Sequence, residues 1–111
     1  MQISRDRFVK ALERSAERAG CVLNPEPTDR EMLIDGLLRN KERYGYPSCP
    51  CRLAYGRLAD DRDIICPCVY READLQEYGS CYCSLFVTKE WAEGKIDKQV
   101  VPERRSIKKE V

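Results

Sequence analysis

The stretch that decides how this chain is organised covers residues 49–83 and reads CPCRLAYGRLADDRDIICPCVYREADLQEYGSCYC. It contains six of the seven cysteines in the 111-residue chain, and all six fall into Cys-x-Cys pairs. The pairs are Cys49-Pro50-Cys51, Cys66-Pro67-Cys68 and Cys81-Tyr82-Cys83. A single buried cysteine usually behaves as a small hydrophobic residue, but that role does not explain three doublets beside proline and charged residues. The spacing therefore predicts a metal or redox site.

The six paired thiols have three alternative uses. A tetrahedral zinc ion or a 4Fe–4S cluster takes four thiolates, which leaves two thiols as a dithiol/disulfide couple. Zinc sites usually space their ligands as Cys-x₂-Cys. Proline between two cysteines stiffens the turn and removes an amide donor. The spacing favours a 4Fe–4S cluster, with zinc and simple disulfides or free thiols as the alternatives.

Composition excludes several classes of chemistry. The chain has no histidine, which removes Ser–His and Cys–His nucleophile pairs and imidazole bases. Lys and Arg total 20 against 19 Asp and Glu, so a nucleic-acid partner is disfavoured. The N-terminus lacks the apolar segment of a signal peptide, and no apolar run approaches the ~20 residues that span a bilayer. We expect a cytoplasmic protein with no membrane partner, in which paired cysteines indicate metal ligands or redox catalysts.

Helical periodicity dominates the first half of the chain. The spacing predicts a helix from Ser4 to Ala19 with Gly20 just beyond its end. Thr28 and Glu31 have the capping-box spacing, so a second helix is predicted to begin there and to end near Gly45. The apolar positions are Phe8, Leu12, Ala16 and Ala19, with Ala11 on the same side, and then Met32, Leu33, Leu37 and Leu38.

Shorter elements are predicted in the second half. We expect helical turns over residues 72–78, a short apolar segment over 84–87, a helix capped by Thr88 that ends by Gly94, and an extended tail from residue 100. The fold class is mainly α, a small single domain over residues 1–111 with loops organised around the cysteines. Its parts are 1–46 (helical), 47–87 (cysteine-rich) and 88–111 (last helix and tail).

Four segments resemble one known family, the catalytic subunit of ferredoxin:thioredoxin reductase. They are Cys49–Arg52, Ile64–Tyr70, Cys81–Val87 and Val101–Arg105. The resemblance covers essentially the whole chain, and the triple doublet is very specific. It implies a domain organised around a 4Fe–4S cluster and a reductase that passes ferredoxin electrons, one at a time, to an adjacent redox-active disulfide.

The resemblance also implies a role for each paired cysteine. Cys51 and Cys83 would form the active-site disulfide, with Cys51 as the exposed thiol that attacks the target disulfide and Cys83 against the cluster. Tyr82 stands where the plant and cyanobacterial form has a histidine thought to move protons. It is expected to be a slower proton carrier, since a phenol has a pKa near 10. The implied cluster ligands are Cys49, Cys66, Cys68 and Cys81.

Tyr82 and the spacer lengths are departures from the plant form. The first spacer is shorter and the second longer, which favours an archaeal or bacterial branch of the family and leaves the target open. The expected partners are ferredoxin or a rubredoxin-like donor and a thioredoxin or glutaredoxin-like substrate. In oxygenic phototrophs the family works with a small variable subunit. The alternatives are a Cys₄ zinc-binding interaction module and a simple 4Fe–4S electron carrier.

Other residues carry weaker predictions. Arg52 is expected to help ionise Cys51, with an exposed surface charge as the alternative. Cys21 is expected to be a packed or free thiol, and Trp91 a packing residue. A solvated turn is predicted for the acidic residues Asp60, Asp61 and Asp63. A flexible tail is predicted for the C-terminal basic residues, with a docking patch for an acidic ferredoxin as the alternative: Arg104, Arg105, Lys108 and Lys109.

Overall fold

The computed structural model describes residues 5–106 and confirms the mainly α fold class. Predictions that fall on Ser4, Lys108 and Lys109 lie outside the described residues. The helices are α1 (Arg5–Arg18), α2 (Pro27–Tyr44), α3 (Leu58–Asp61), a 3-10 helix (Arg62–Ile64), α4 (Arg71–Tyr78) and α5 (Lys89–Ala92). The strands are β1 (Val22–Leu23) and β2 (Phe86–Val87). No helix within residues 5–106 combines the length and the apolar character needed to cross a membrane.

Helices α1 and α2 supply much of the hydrophobic core. The predicted apolar face of α1 is largely correct, since Leu12 and Ala16 are buried, but Ala11 is exposed. On α2 the side chain of Met32 also points outward, with 63% of its surface exposed. The period of 3.6 residues turns these two positions away from the buried stripe. The buried residues of α2 are Leu33, Ile34 and Leu37.

The start of α2 differs from the sequence prediction. Pro27 is its first residue, and Glu26 rather than Thr28 is the N-cap. The Glu26 carboxylate accepts a hydrogen bond from the Thr28 amide at 3.4 Å. Proline suits this first position because its ring fixes φ near the helical value and its missing N–H would have no helical partner. The predicted end is confirmed, since Gly45 has φ +90° and its amide donates to the Lys41 carbonyl.

A short antiparallel ladder joins the two halves of the chain. Val22 pairs with Val87 and Leu23 with Phe86, and the Asn24 amide donates to the Leu85 carbonyl at 2.8 Å. Two-residue strands are too short to show the alternation that predicts a strand, so the sequence did not indicate this pairing. The ladder brings the segment after α1 against the third cysteine pair.

The predicted elements around α5 are confirmed. Helix α4 ends at Gly79, which has φ +77° and donates its amide to the Leu75 carbonyl. Thr88 caps α5 by accepting a hydrogen bond from the Trp91 amide at 3.1 Å. Trp91 is 7% exposed, so the prediction that it packs in the interior is also confirmed.

Candidate redox site

The first two cysteine pairs lie side by side because backbone hydrogen bonds join their turns. The Cys49 amide donates to the Ile64 carbonyl at 2.8 Å, and the Cys66 amide donates to the Pro47 carbonyl at 3.0 Å. An isolated antiparallel bridge between Ser48 and Ile65 lies between these two bonds. The chain therefore presents both doublets at one edge of this short ladder.

Helix α2 packs directly against the first pair through a glycine. A Cβ atom added at Gly36 would stand 2.7 Å from the Pro50 Cβ, closer than two carbon atoms can approach. Pro50 is the central residue of the first doublet. The absence of a side chain at Gly36 therefore lets the helix approach the turn that carries Cys49 and Cys51.

The third pair is held in a tight turn. The Cys81 amide donates to the Phe86 carbonyl at 2.9 Å, and the Phe86 amide donates to the Cys81 sulfur at 3.3 Å. Ser84 adopts a left-handed conformation with φ +67°, which a non-glycine residue rarely adopts. The buried Asn24 side chain donates to the Ser84 carbonyl at 3.0 Å and holds this turn to the segment after β1.

All six paired cysteines meet in this region. The Cys81 and Cys83 sulfurs are 3.9 Å apart, and Cys49 and Cys51 lie close enough to Cys83 to raise its pKa. Cys51 is exposed, whereas Cys49 and Cys81 are each 4% exposed. A small cavity is lined by five of the thiols: Cys49, Cys66, Cys68, Cys81 and Cys83.

The two thiols predicted to form the active disulfide differ in acidity. Hydrogen bonds from Cys49 and then Cys83 hold the pKa of Cys51 below its ordinary value, and the positive charge of Arg52 acts in the same direction. Hydrogen bonds to Cys49, Cys51 and Cys81, together with burial, raise the pKa of Cys83. An exposed thiol that ionises readily is suited to attack a disulfide, and the less exposed Cys83 thiol beside it is suited to resolve the product.

The donor set around the cavity fits a thiolate-bound group that carries several metal atoms. Within residues 5–106, no group of three or more Cys, Asp or Glu side chains is already placed to hold a metal ion. Five of the thiols line a shared cavity whose wall also contains Arg52 and Arg71. Burial raises the pKa of Cys66, and the charge of Arg71 opposes that rise. Two buried cations suit an anionic thiolate cluster. Which thiols are ligands stays a prediction.

Arg52 is buried, so the alternative of an exposed surface charge is wrong. Its side chain is 1% exposed, and its Nε forms an ion pair with the Glu103 carboxylate at 2.7 Å. Its Nη1 donates to the Cys68 sulfur at 3.2 Å. The guanidinium lies over the rings of Tyr82 at 4.5 Å and Tyr70 at 4.9 Å. Arg52 therefore contacts the second cysteine pair directly and affects Cys51 only through its charge.

The prediction of a flexible basic tail is wrong for residues 101–105. Val101 is 5% exposed, and Glu103 pairs with Arg52. Arg104 forms ion pairs with Asp74 and Glu77, and Arg105 donates to Asp61 at 3.0 Å. Because these two arginines are engaged within the chain, the proposed docking patch for an acidic ferredoxin is not formed by them.

The prediction of a solvated acidic turn is also wrong for Asp61. Its side chain is completely buried and accepts hydrogen bonds from the Tyr46 hydroxyl and the Tyr55 and Gly56 amides. Asp63 is partly buried and accepts from the Tyr70 hydroxyl at 2.7 Å and from Arg105. These carboxylates anchor the tail beneath the cysteine loops.

Three residues at the site were missed from the sequence: Gly36, Arg71 and Glu103. Arg71 lines the cavity and lies three residues after the second cysteine pair, a position that offered a weak signal. Glu103 lies within the segment Val101–Arg105 that resembles the family, but no spacing rule connects it to Arg52. Cys21 is 6% exposed within the core, so the prediction of a packed thiol is confirmed.

Comparison with known proteins shows what the whole chain is similar to. A family model described as "Ferredoxin thioredoxin reductase catalytic beta chain" matches residues 2–111. The ferredoxin-thioredoxin reductase catalytic chain of Pyropia yezoensis is 34% identical over 103 residues, which cover 87% of this chain and 85% of that one. The catalytic chain of Guillardia theta is 31% identical, covering 77% and 84%. The chloroplastic chain of Arabidopsis thaliana is 33% identical, covering 71% and 53%.

Proposed function

Because this chain belongs to the ferredoxin thioredoxin reductase catalytic beta chain family, we propose that it is a ferredoxin-dependent enzyme that reduces the disulfides of thioredoxin-like proteins. One observation carries the proposal. The exposed, more acidic Cys51 thiol lies beside the partly buried Cys83 thiol, at the edge of a cavity lined by the remaining paired cysteines. This arrangement supports a working dithiol next to an electron-storing group.

The family carries a 4Fe–4S cluster, and the thiolate-only cavity with its two buried arginines supports the same cofactor here. We propose Cys49, Cys66, Cys68 and Cys81 as its ligands. When bound, such a cluster supplies one-electron storage beside the disulfide, which lets a one-electron donor serve a two-electron reaction. A low-potential ferredoxin near −400 mV and a thioredoxin near −270 mV differ by ~130 mV, or ~6 kcal/mol for two electrons.

The two remaining thiols carry out the exchange with the target. The Cys51 thiolate attacks one sulfur of the target disulfide, forms a mixed disulfide and releases the first target thiolate. The Cys83 thiolate then attacks the Cys51 sulfur and releases the second target thiolate. Two electrons have moved from the dithiol to the target, and a Cys51–Cys83 disulfide is left for the donor to reduce.

Tyr82 is proposed to carry protons to the departing thiolates. Its half-buried side chain lies between the two cysteines of the third doublet and stacks on Arg52. Two variants separate the hydroxyl from the ring. Tyr82→Phe keeps the stacked ring and removes the proton, whereas Tyr82→Leu removes both. If the hydroxyl carries protons, Tyr82→Phe slows single-turnover reduction of thioredoxin as much as Tyr82→Leu does, whereas full activity in Tyr82→Phe removes Tyr82 from proton transfer.

The finer details of partners and setting are proposals as well. We propose a single functional unit over residues 1–111 in the cytoplasm, working with a small variable subunit. A rubredoxin-like donor and a glutaredoxin-like substrate are the alternatives to ferredoxin and thioredoxin. Reduction rates measured with each donor and each substrate in turn distinguish these pairs.

The first experiment measures iron, zinc and acid-labile sulfide per chain in protein purified without oxygen. About four iron and four sulfide per chain support the cluster. About one zinc without sulfide overturns the reductase proposal and favours a zinc-stabilised interaction module.

The second experiment traps the exchange intermediate. Cys83→Ser leaves Cys51 able to attack but removes the resolving thiol, so a lasting mixed disulfide with thioredoxin is expected. Cys51→Ser and Cys21→Ser are the matched controls. The first should trap nothing, and the second should behave as the unmodified chain. A simple electron carrier forms no mixed disulfide in any of these variants.

A further inference from the structure

Arg52 is held from three directions at the wall of the cysteine cavity. The single Nε–H donates a bifurcated hydrogen bond to the Glu103 carboxylate, whose two oxygens lie at 2.7 and 2.9 Å. The rings of Tyr70 and Tyr82 lie near the guanidinium at 4.9 and 4.5 Å. These contacts fix the plane of the guanidinium and the direction in which its remaining N–H groups point.

Of the two remaining nitrogens of Arg52, Nη1 contacts a thiol. Nη1 donates to the Cys68 sulfur at 3.2 Å. Nη2 is buried and has no hydrogen-bond partner within the described residues, and the residue lines the cavity beside the cysteines. A buried N–H group without an acceptor is costly, and a thiolate-bound group in the cavity that this residue lines would offer one.

We propose that Arg52 is a positioning residue that sets the reduction potential of the thiolate-bound cluster through the Cys68 sulfur. Glu103 and the rings of Tyr70 and Tyr82 hold Arg52 in place. This inference rests on the proposed function, since it concerns the same site. Glu103 belongs to the C-terminal segment, so the segment is part of the redox site and not a flexible tail.

The physical reason lies in the charge of the site. Adding an electron makes a thiolate-bound cluster more negative, and both an N–H donor and a nearby cation stabilise the more negative state. Hydrogen bonds to the cysteine sulfurs are among the properties that set the potentials of such clusters. A planar guanidinium can donate to the Glu103 carboxylate from Nε and to the Cys68 sulfur from Nη1 at the same time. A lysine ammonium is a compact point charge that cannot stack on the tyrosine rings in the same way.

The test is an anaerobic redox titration of the holoprotein, followed by the visible absorbance and electron paramagnetic resonance of the cluster. In Arg52→Gln we expect the ratio of oxidised to reduced cluster at a fixed potential to rise about tenfold, which lowers the midpoint potential by about 59 mV for a one-electron couple. Arg52→Lys keeps the positive charge but loses the paired N–H donors of the guanidinium and its stacking on the tyrosine rings. Its midpoint potential should therefore lie closer to that of Arg52→Gln than to that of the unmodified chain.

Glu103→Gln tests whether the carboxylate acts through the arginine. We expect it to change the midpoint in the unmodified background and to leave it unchanged in the Arg52→Gln background. Arg104→Lys is the matched control because Arg104 anchors the same segment to α4 through Asp74 and Glu77 without contacting a thiol. Its midpoint should equal that of the unmodified chain.

Each outcome decides a separate point. A cluster-bearing Arg52→Gln protein with an unchanged midpoint overturns the inference and leaves the proposed function intact. An Arg52→Lys midpoint equal to the unmodified one reduces the role of Arg52 to its charge and also overturns it. Absence of iron and sulfide from the unmodified chain overturns the proposed function itself. Where a variant loses its cluster during the titration, the freshly loaded protein is compared by its rate of iron release to a chelator: faster release from Arg52→Gln than from Arg104→Lys supports the inference, and equal rates overturn it.

Discussion

Replacing Asp61 with asparagine tests the buried network beneath the cysteine loops. The carboxylate accepts four hydrogen bonds at 2.6 to 3.0 Å, from the Tyr46 hydroxyl, the Tyr55 and Gly56 amides and the Arg105 guanidinium. An asparagine side chain has the same shape but only one acceptor oxygen. Its amide group would therefore face donors; the Tyr46 hydroxyl can turn to accept from it, but at least one backbone amide would lose its acceptor and the ion pair with Arg105 would lose its charge.

The expected loss of stability is large for a substitution that changes one atom. Each buried donor left without an acceptor costs about 1–3 kcal/mol, and breaking a buried ion pair costs about 3–5 kcal/mol. We therefore expect Asp61→Asn to lower the free energy of unfolding by about 3–5 kcal/mol. At roughly 4 °C per kcal/mol for a domain of this size, Tm falls by about 12 °C or more.

Asp60→Asn is the matched control because it changes the same functional group one residue earlier. The Asp60 carboxylate pairs with Arg57, whose side chain is 67% exposed, and exposed pairs contribute about 0–1 kcal/mol. Thermal unfolding of the holoproteins is followed by far-ultraviolet circular dichroism at one scan rate without oxygen. Equal Tm values for the two variants, both within about 4 °C of the unmodified chain, would refute the assigned role of the buried network.

Three further outcomes are expected. Gly36→Ala should destabilise the chain by up to about 2 kcal/mol, because the clash with the Pro50 Cβ outweighs the helix-propensity gain of about 1 kcal/mol. Chemical unfolding measures this loss. Adding Pro50→Gly, which removes that Cβ, should lower the cost of Gly36→Ala in the double variant, and a more stable single variant contradicts the packing. Thr88→Ala should lower the free energy of unfolding by about 1 kcal/mol, because it removes the cap of α5. Thr28→Ala should lower it by less than about 0.5 kcal/mol, because the Thr28 side chain is not the cap of α2. Equal effects of the two variants in urea unfolding contradict the observed caps. Burial and the hydrogen bond to Asp61 raise the pKa of Tyr46 to about 12. The stability that this group contributes is therefore complete below pH ~10 and is lost as the pH rises through about 12. Tyrosinate absorbance measured against pH checks this, and ionisation of all six tyrosines together near pH 10 contradicts it.

Much of the secondary structure could be predicted from local chemistry. Glycines with positive φ end α2 and α4 at Gly45 and Gly79, and Thr88 caps α5, because each signal acts over only a few neighbouring residues. The start of α2 was misplaced because Pro27 takes the first helical position, which makes Glu26 the N-cap in place of Thr28.

The charged residues show where local signals fail. Asp61 and Arg105 are 44 positions apart in the chain, and nothing in either neighbourhood indicates that they meet. Taken alone, each has the composition of an exposed segment. Their burial results from the tail crossing under the cysteine loops, which depends on packing between distant parts of the chain.

The sequence alone determined the cysteine chemistry. Three Cys-x-Cys doublets, the lack of histidine and the surrounding segments were sufficient to predict a thiolate site and the family, because a ligand set is defined by residue type and local spacing. The tertiary structure decided what surrounds those thiols. In the folded chain Arg52 is buried against Cys68, Pro50 packs on Gly36, and Glu103 forms an ion pair with Arg52. These contacts join residues that are far apart in the chain, so they depend on how the helices, turns and tail pack together, which no local pattern encodes.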